Sequence, residues 1–308
     1  MPAAVLGLLG AIVYGSADFL GGVAARRMGP LRTTAVGAVS GLALVLLALP
    51  LVGGVVSPAA LGWGALSGLV GTVAIALLYA CLAIGPMSIL SPLTALVSAL
   101  VPLTWGLVGG DRFEPVGYVA LGLALVAVVL VGFVPEKGAV RPRPRALGMA
   151  VAAGALIGVF LILIDQTPAD SGVVPLIANR VANATVMWTV VGIVVARTRS
   201  RRRAAALVPA GAAGPGTPAL PEPLRGGMRL EPRSAGIAAA GGMLDATANL
   251  LILIGLRLGD LATISVLTAL YPAGTILLAA VVLHERVAPV QWVGLVLAIV
   301  AAALLAVS

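Results

Sequence analysis

Charge is scarce in this chain: 10% of its 308 residues are charged, against 60% that are hydrophobic. Cysteine and histidine occur once each, as Cys81 and His284. A lone cysteine excludes an intramolecular disulfide and leaves the redox compartment unread, so Cys81 is expected as a buried thiol. One histidine beside one glutamate falls short of a zinc ligand set, and no second His or Cys stands at ligand spacing. GxSxG elbows, HExxH, P-loops and clustered carboxylates are also missing. A soluble catalytic domain is therefore not expected, and no metal or cofactor is implied.

What is present is apolar sequence in long runs. Mean hydropathy is +1.14, far outside the soluble range. Stretches near 2–24, 32–53, 58–81, 87–108, 115–134, 146–164, 172–196, 234–256, 261–283 and 287–307 each approach or exceed the roughly 20 residues of a spanning helix. They lack the alternation of a barrel strand, and only helices and closed barrels satisfy their backbone in hydrocarbon. An all-α integral membrane fold of ten transmembrane helices follows.

The chain also repeats itself. Adding 174 to the numbers from Gly85 to Val126 gives Gly259 to Val300, a gap-free register of 42 positions with 17 identical pairs. These include Gly85/Gly259, Leu93-Thr94-Ala95-Leu96 with Leu267-Thr268-Ala269-Leu270, Arg112/Arg286 and Pro115/Pro289, and Asp111 faces Glu285. Five helices per half is an odd number, so the second copy enters the membrane from the opposite side. Inverted repeats of this kind recur in secondary transporters, where one half rocks against the other about a site near the midplane. Pro102 and Pro272 each remove a backbone hydrogen bond at nearly equivalent depths, so the fourth and ninth helices are both expected to kink.

Thr268-Ala269-Leu270-Tyr271-Pro272, His284-Glu285-Arg286 and Gly294 resemble the second EamA domain of a drug/metabolite transporter. Gly85, Ser91, Thr94, Asp111 and Pro115 form a weaker version in the first half, with Asp111 where the family more often has glutamate. The resemblance implies a ten-helix secondary carrier of the inner or plasma membrane, in a superfamily moving amino acids, nucleotide sugars, purines, sugar phosphates and drugs. On that reading residues 1–134 are the first EamA repeat, 135–145 a basic linker and 146–308 the second repeat. An Arg/Pro/Gly-rich segment at 197–233 within the second repeat is expected to be a disordered loop.

Sixteen of the nineteen Lys and Arg residues fall in odd-to-even connections, among them Arg26, Arg27, Arg32, Lys137 and the run from Arg197 to Arg203. That side is the cytoplasmic one by the positive-inside rule, so both termini face outward. The basic loops suit anionic lipid headgroups better than nucleic acid. Gly62, Gly64 and Gly68 fit close helix contacts or dimerisation equally well, leaving monomer and homodimer open.

Specificity belongs where the halves differ. Matching Leu6-Gly7 to Leu147-Gly148 gives an offset of 141 for the early helices; the rise to 174 equals 33 residues and is absorbed after helix seven. Asp18 then faces Val159, Arg180 faces Val39 and Asp245 faces Gly71. Asp18 lies eight residues before Arg26, roughly 12 Å inside helix one, with Tyr14 one turn earlier on the same face. Asp245 has Asn249 at i+4, and Arg180 has Asn183 at i+3.

Intramembrane charges line cavities or pair with each other. Tyr14, Asp18, Arg180, Asn183, Asp245 and Asn249 are thus candidate substrate-binding residues. Arg180 and Asn183 suit a carboxylate or phosphate, and the others an amine or hydroxyl, as in a zwitterionic, amino-acid-like metabolite. An Arg180–Asp245 structural ion pair is the competing interpretation. Asp18 and Asp245 are candidates for proton coupling, and Asp111 and Glu285 for a gate or helix-end role. Export of a small metabolite or drug is expected, with a membrane-embedded enzyme on a lipid-linked substrate, a scaffold or a channel as alternatives.

Overall fold

A computed structural model describes residues 2–84, 87–132, 143–206, 231–282, 284 and 287–307. The helices are α1 (Pro2–Met28), α2 (Pro30–Val52), α3 (Pro58–Ile84), α4 (Met87–Gly109), α5 (Pro115–Gly132), α6 (Pro144–Asp165), α7 (Val174–Ala206), α8 (Pro232–Leu258), α9 (Leu261–Thr268), α10 (Pro272–Val282) and α11 (Pro289–Val307). Eight of them start on proline, whose missing N–H is one a helix would leave unpaired at its first turn anyway. Nine described segments are long and apolar enough to cross a membrane, α9 and α10 together forming one, and α11 supplies a shorter tenth. Side chains such as Leu47, Leu51 and Val108 point outward from the bundle as lipid-facing groups would.

The helices pack in mirrored pairs. α1 lies on α8 as α6 lies on α3; α2 on α8 as α7 on α3; α9 and α10 on α1 as α4 on α6. α2 with α7 and α5 with α11 are self-equivalent pairs. The two halves therefore interleave. One group holds α1, α2, α8, α9 and α10, and the other α3, α4, α6 and α7, each drawing helices from both repeats.

Glycine sets the closest approaches. A Cβ on Gly242 of α8 would sit 2.3 Å from the Gly37 carbonyl oxygen of α2, and one on Gly68 of α3 would sit 2.4 Å from the Asn179 oxygen of α7. Gly242 minus 174 is Gly68, so the same device serves both crossings. Gly64 meets Pro175 of α7 in the same manner, so Gly64 and Gly68 serve contacts within the chain, whereas a Cβ on Gly62 meets nothing within 4 Å.

Two expectations change here. Pro102 leaves α4 continuous from Met87 to Gly109, its ring packed over Gly158 of α6, so among the described spans the two prolines differ: helix is interrupted at Pro272 and not at Pro102. Residues 197–206 of the segment expected to be disordered continue α7 as helix, because Ala and Arg are strong helix formers once a helix precedes them. The rest of that segment up to 230 and the linker to 142 lie outside the described residues.

On the side holding the α1 N-terminus, the loops lock together. Val55 N–H donates to the Asp170 carbonyl at 2.9 Å, and Val173 N–H to that of Gly53 at 3.1 Å. A Cβ on Gly54 or Gly172 would lie 2.1 Å from the opposing oxygen, and φ is +145° and +49° there, so glycine is required twice over. Arg257, at the end of α8, reaches the same loop: it donates to the Thr167 carbonyl at 2.7 Å, the Pro168 carbonyl at 3.0 Å and the Thr167 hydroxyl.

Candidate functional site

The ninth span breaks between Thr268 and Pro272. Tyr271 N–H donates to the Thr268 carbonyl and Ala273 N–H to that of Leu270, tight i to i+3 bonds that carry the chain past a residue without an N–H. α1 is seated in this break backbone to backbone. A Cβ on Gly15 would lie 2.0 Å from the Tyr271 oxygen, one on Gly274 would lie 2.3 Å from the Ile12 oxygen, and Thr275 Oγ1 donates to the Gly15 carbonyl at 3.0 Å. The Tyr14 and Tyr271 rings consequently stand 6.1 Å apart at 52°.

One turn along α1 from Tyr14, Asp18 is exposed, yet within electrostatic reach of Tyr14 and of Asp245 across the α1–α8 interface. The next residues on its stripe, Gly21 and Gly22, carry no side chain, and a Cβ on either would meet nothing within 4 Å.

Arg180 of α7 reaches past Gly41 of α2 to Asp245 of α8, with Nη1 2.5 Å from Oδ2. Its side chain is 9% exposed and that of Asp245 29%, so the acid is the more accessible edge of the pair. Two buried polar atoms lack a hydrogen-bond partner among the described residues: Nε of Arg180 and the Thr268 hydroxyl.

The other candidates divide differently. Asn183 Nδ2 donates to Thr72 Oγ1 of α3 at 3.0 Å, and Asn179 Nδ2 to Ser67 Oγ at 2.8 Å, so the α7 amides zip that helix to α3. Asn249 is buried and donates to the Asp245 backbone carbonyl at 2.7 Å, one turn back on its own helix. Tyr14, Asp18, Arg180 and Asp245 are brought together; the Asn183 and Asn249 amide nitrogens are directed elsewhere.

Asp111 does stand at a helix end. Its Oδ2 accepts the Ala262 N–H in the first turn of α9 at 3.3 Å, while the N-cap residue Asp260 makes no side-chain cap. Burial, with the Asp111 carboxylate nearby, pushes the Asp260 carboxyl above its ordinary range. His284 follows α10 with φ +56°, as a chain leaving a helix does, and Glu285 lies outside the described residues. Arg257 entered the sequence reading only as a charge count; its signal was a cation on the side otherwise almost free of them.

An inverted repeat of ten spans, broken in the ninth and charged at the crossing of α1, α7 and α8, defines a multi-pass membrane protein. The model of the EamA-like transporter family matches residues 1–133 and 144–307, and the chain belongs to that family. No curated protein matches it significantly. Among solved structures, one described only as the crystal structure of a protein superposes with a TM-score of 0.67, covering 98% of this chain and 95% of that one at 16% identity. At that identity the likeness shows the fold alone.

Proposed function

We propose that the chain is a secondary active transporter that exports a small, polar, amine-bearing solute by alternating access across the cell membrane, with both termini outside. The observation that carries this reading is an ion pair, Arg180–Asp245, with an accessible carboxylate, Asp18, beside it inside an otherwise apolar bundle. Isolated charge in a membrane interior is costly and is kept where it lines a pathway. Tyr14 and Asp18 meet the solute and Asp245 shapes the acidic edge; Asp111 and Arg257 hold the outer side shut. Membership of a transporter family favours this over an enzyme acting on a lipid-linked substrate. Asp18 and Asp245 are the groups through which a proton would couple.

Cells making the protein are compared with cells making equal amounts of Asp18→Asn by untargeted mass spectrometry of medium and cytosol. A metabolite enriched outside only with the unmodified chain is expected. Identical profiles, together with no counterflow in proteoliposomes, overturn the transport reading. Collapsing the pH gradient at fixed solute slows export if a proton is exchanged; unchanged flux removes the coupling.

A further inference from the structure

We infer that the site selects a monovalent organic cation carrying a neutral oxygen, an amino alcohol or its quaternary ammonium relative, over the zwitterion of similar size. The inference rests on the transport site described above and names its ligand class.

The balance of charge decides the sign. Arg180 and Asp245 neutralise each other at 2.5 Å, leaving Asp18, which has no ion-pair or hydrogen-bond partner among the described residues. With Asp18 ionised, the cluster is one negative charge in excess. A zwitterion entering it would leave that excess in place, whereas a monocation would cancel it, and net charge in a low-dielectric interior is what the bilayer penalises most. The residues that suit a substrate carboxylate are also spoken for: Arg180 by Asp245, and the Asn183 amide nitrogen by Thr72.

The walls agree with the sign. Tyr14, one turn from Asp18, has the Tyr271 ring 6.1 Å from its own, and tyrosine faces attract an ammonium that has shed its water. The two unsatisfied atoms add the second half of the ligand. Arg180 is 8% exposed and its Nε–H wants an acceptor; Thr268 is 8% exposed and its hydroxyl, just before the break that presents Tyr271, wants a partner of either kind. A hydroxyl or carbonyl oxygen on the ligand answers either atom without adding charge.

Three molecules of nearly one shape test this: choline, glycine betaine and 3,3-dimethylbutanol, which are cation, zwitterion and neutral. Each is titrated into purified full-length protein, reading the thermal unfolding shift, with tetramethylammonium and ethidium extending the range of cation size. Cations raise the unfolding temperature, choline more than tetramethylammonium, while betaine and the alcohol do not. Asp18→Asn weakens cation binding roughly tenfold to a hundredfold, as losing a charge-assisted contact does, while Asp18→Glu retains most of it. Tyr271→Leu weakens it about threefold.

Betaine binding as well as choline, silence toward every cation, or cation binding that survives Asp18→Asn each overturns the assignment. Tetramethylammonium matching choline refutes the neutral-oxygen requirement. A chain that exports a neutral or anionic solute while ignoring cations refutes the cation class and leaves transport standing. Choline binding without counterflow of labelled choline does the reverse.

Discussion

At the crossing of α1, α2 and α8, Asp245 pairs with Arg180 from α7 and Asp18 lies within electrostatic reach of Asp245; at the mirrored crossing of α6, α7 and α3 the positions matching Asp18, Asp245 and Arg180 are Val159, Gly71 and Val39. The backbones meet alike, through Gly242 on Gly37 in one place and Gly68 on Asn179 in the other. What fills them differs. Where Asp245 carries a carboxylate, Gly71 leaves room for the Phe160 ring, 3.6 Å from where its Cβ would be. The threonine pair differs likewise: the Thr94 hydroxyl lies 2.9 Å from the Leu90 carbonyl and 3.2 Å from that of Ala150 in α6, whereas its repeat partner Thr268 has no bond. Duplication supplied a symmetric frame, and chemistry was concentrated on one side of it. The apolar crossing keeps its hydrogen bonds satisfied, and the charged one leaves groups open to a ligand.

The largest effect comes from breaking the charged crossing. Arg180→Met or Asp245→Leu alone strands a partner charge and lowers unfolding stability by up to about 3 kcal/mol, reduced from the fully buried case because Asp245 is 29% exposed. The double variant regains most of that stability yet not counterflow; recovery of both would make the pair a structural pin. Next in size are the glycines. Gly242→Ala and Gly68→Ala each cost roughly 1–3 kcal/mol in detergent melting, while Gly71→Ala stays within about 0.5 kcal/mol, since its new methyl meets only ordinary van der Waals distance. Unequal losses at Gly242 and Gly68 would show that the frame is less symmetric than its packing.

The smallest effect lies outside the membrane. A carboxyl whose folded pKa is raised stabilises most when protonated and loses that contribution as pH rises through the folded value. Asp260→Asn therefore raises the melting temperature at neutral pH, and the gain fades on acidification toward the ordinary carboxylate range. A gain that persists in acid would place its origin elsewhere.

The ten spans and the repeat were readable because hydropathy and a fixed register survive in one dimension. Tyr14 and Asp18 on one stripe, and Asp245 and Arg180 as opposite charges, could be named from spacing and scarcity. Which helices touch could not, since in helices apolar all round no face announces its partner; the interleaving of halves is set by glycines such as Gly68 and Gly242, which look the same as Gly62 in sequence. Asn183 shows the same limit: i+3 spacing put it near Arg180, but a small rotation about the α7 axis directs its amide to Thr72. The break at Ala269–Tyr271 without one at Pro102 shows that a proline permits a discontinuity and the neighbour seated in it decides.

The lock between the α2–α3 and α6–α7 loops, with Arg257 clasped to Thr167 and Pro168, has a consequence for traffic in the wrong direction. Each opening on that side must first give up those bonds, so the species that can receive a molecule there is a minor fraction of the population. Apparent affinity from that side falls by the same fraction. If that face is the outer one, as proposed above, cargo returning from the medium meets a doorway that is seldom ajar, and its apparent affinity there is lowered without any change in the site itself.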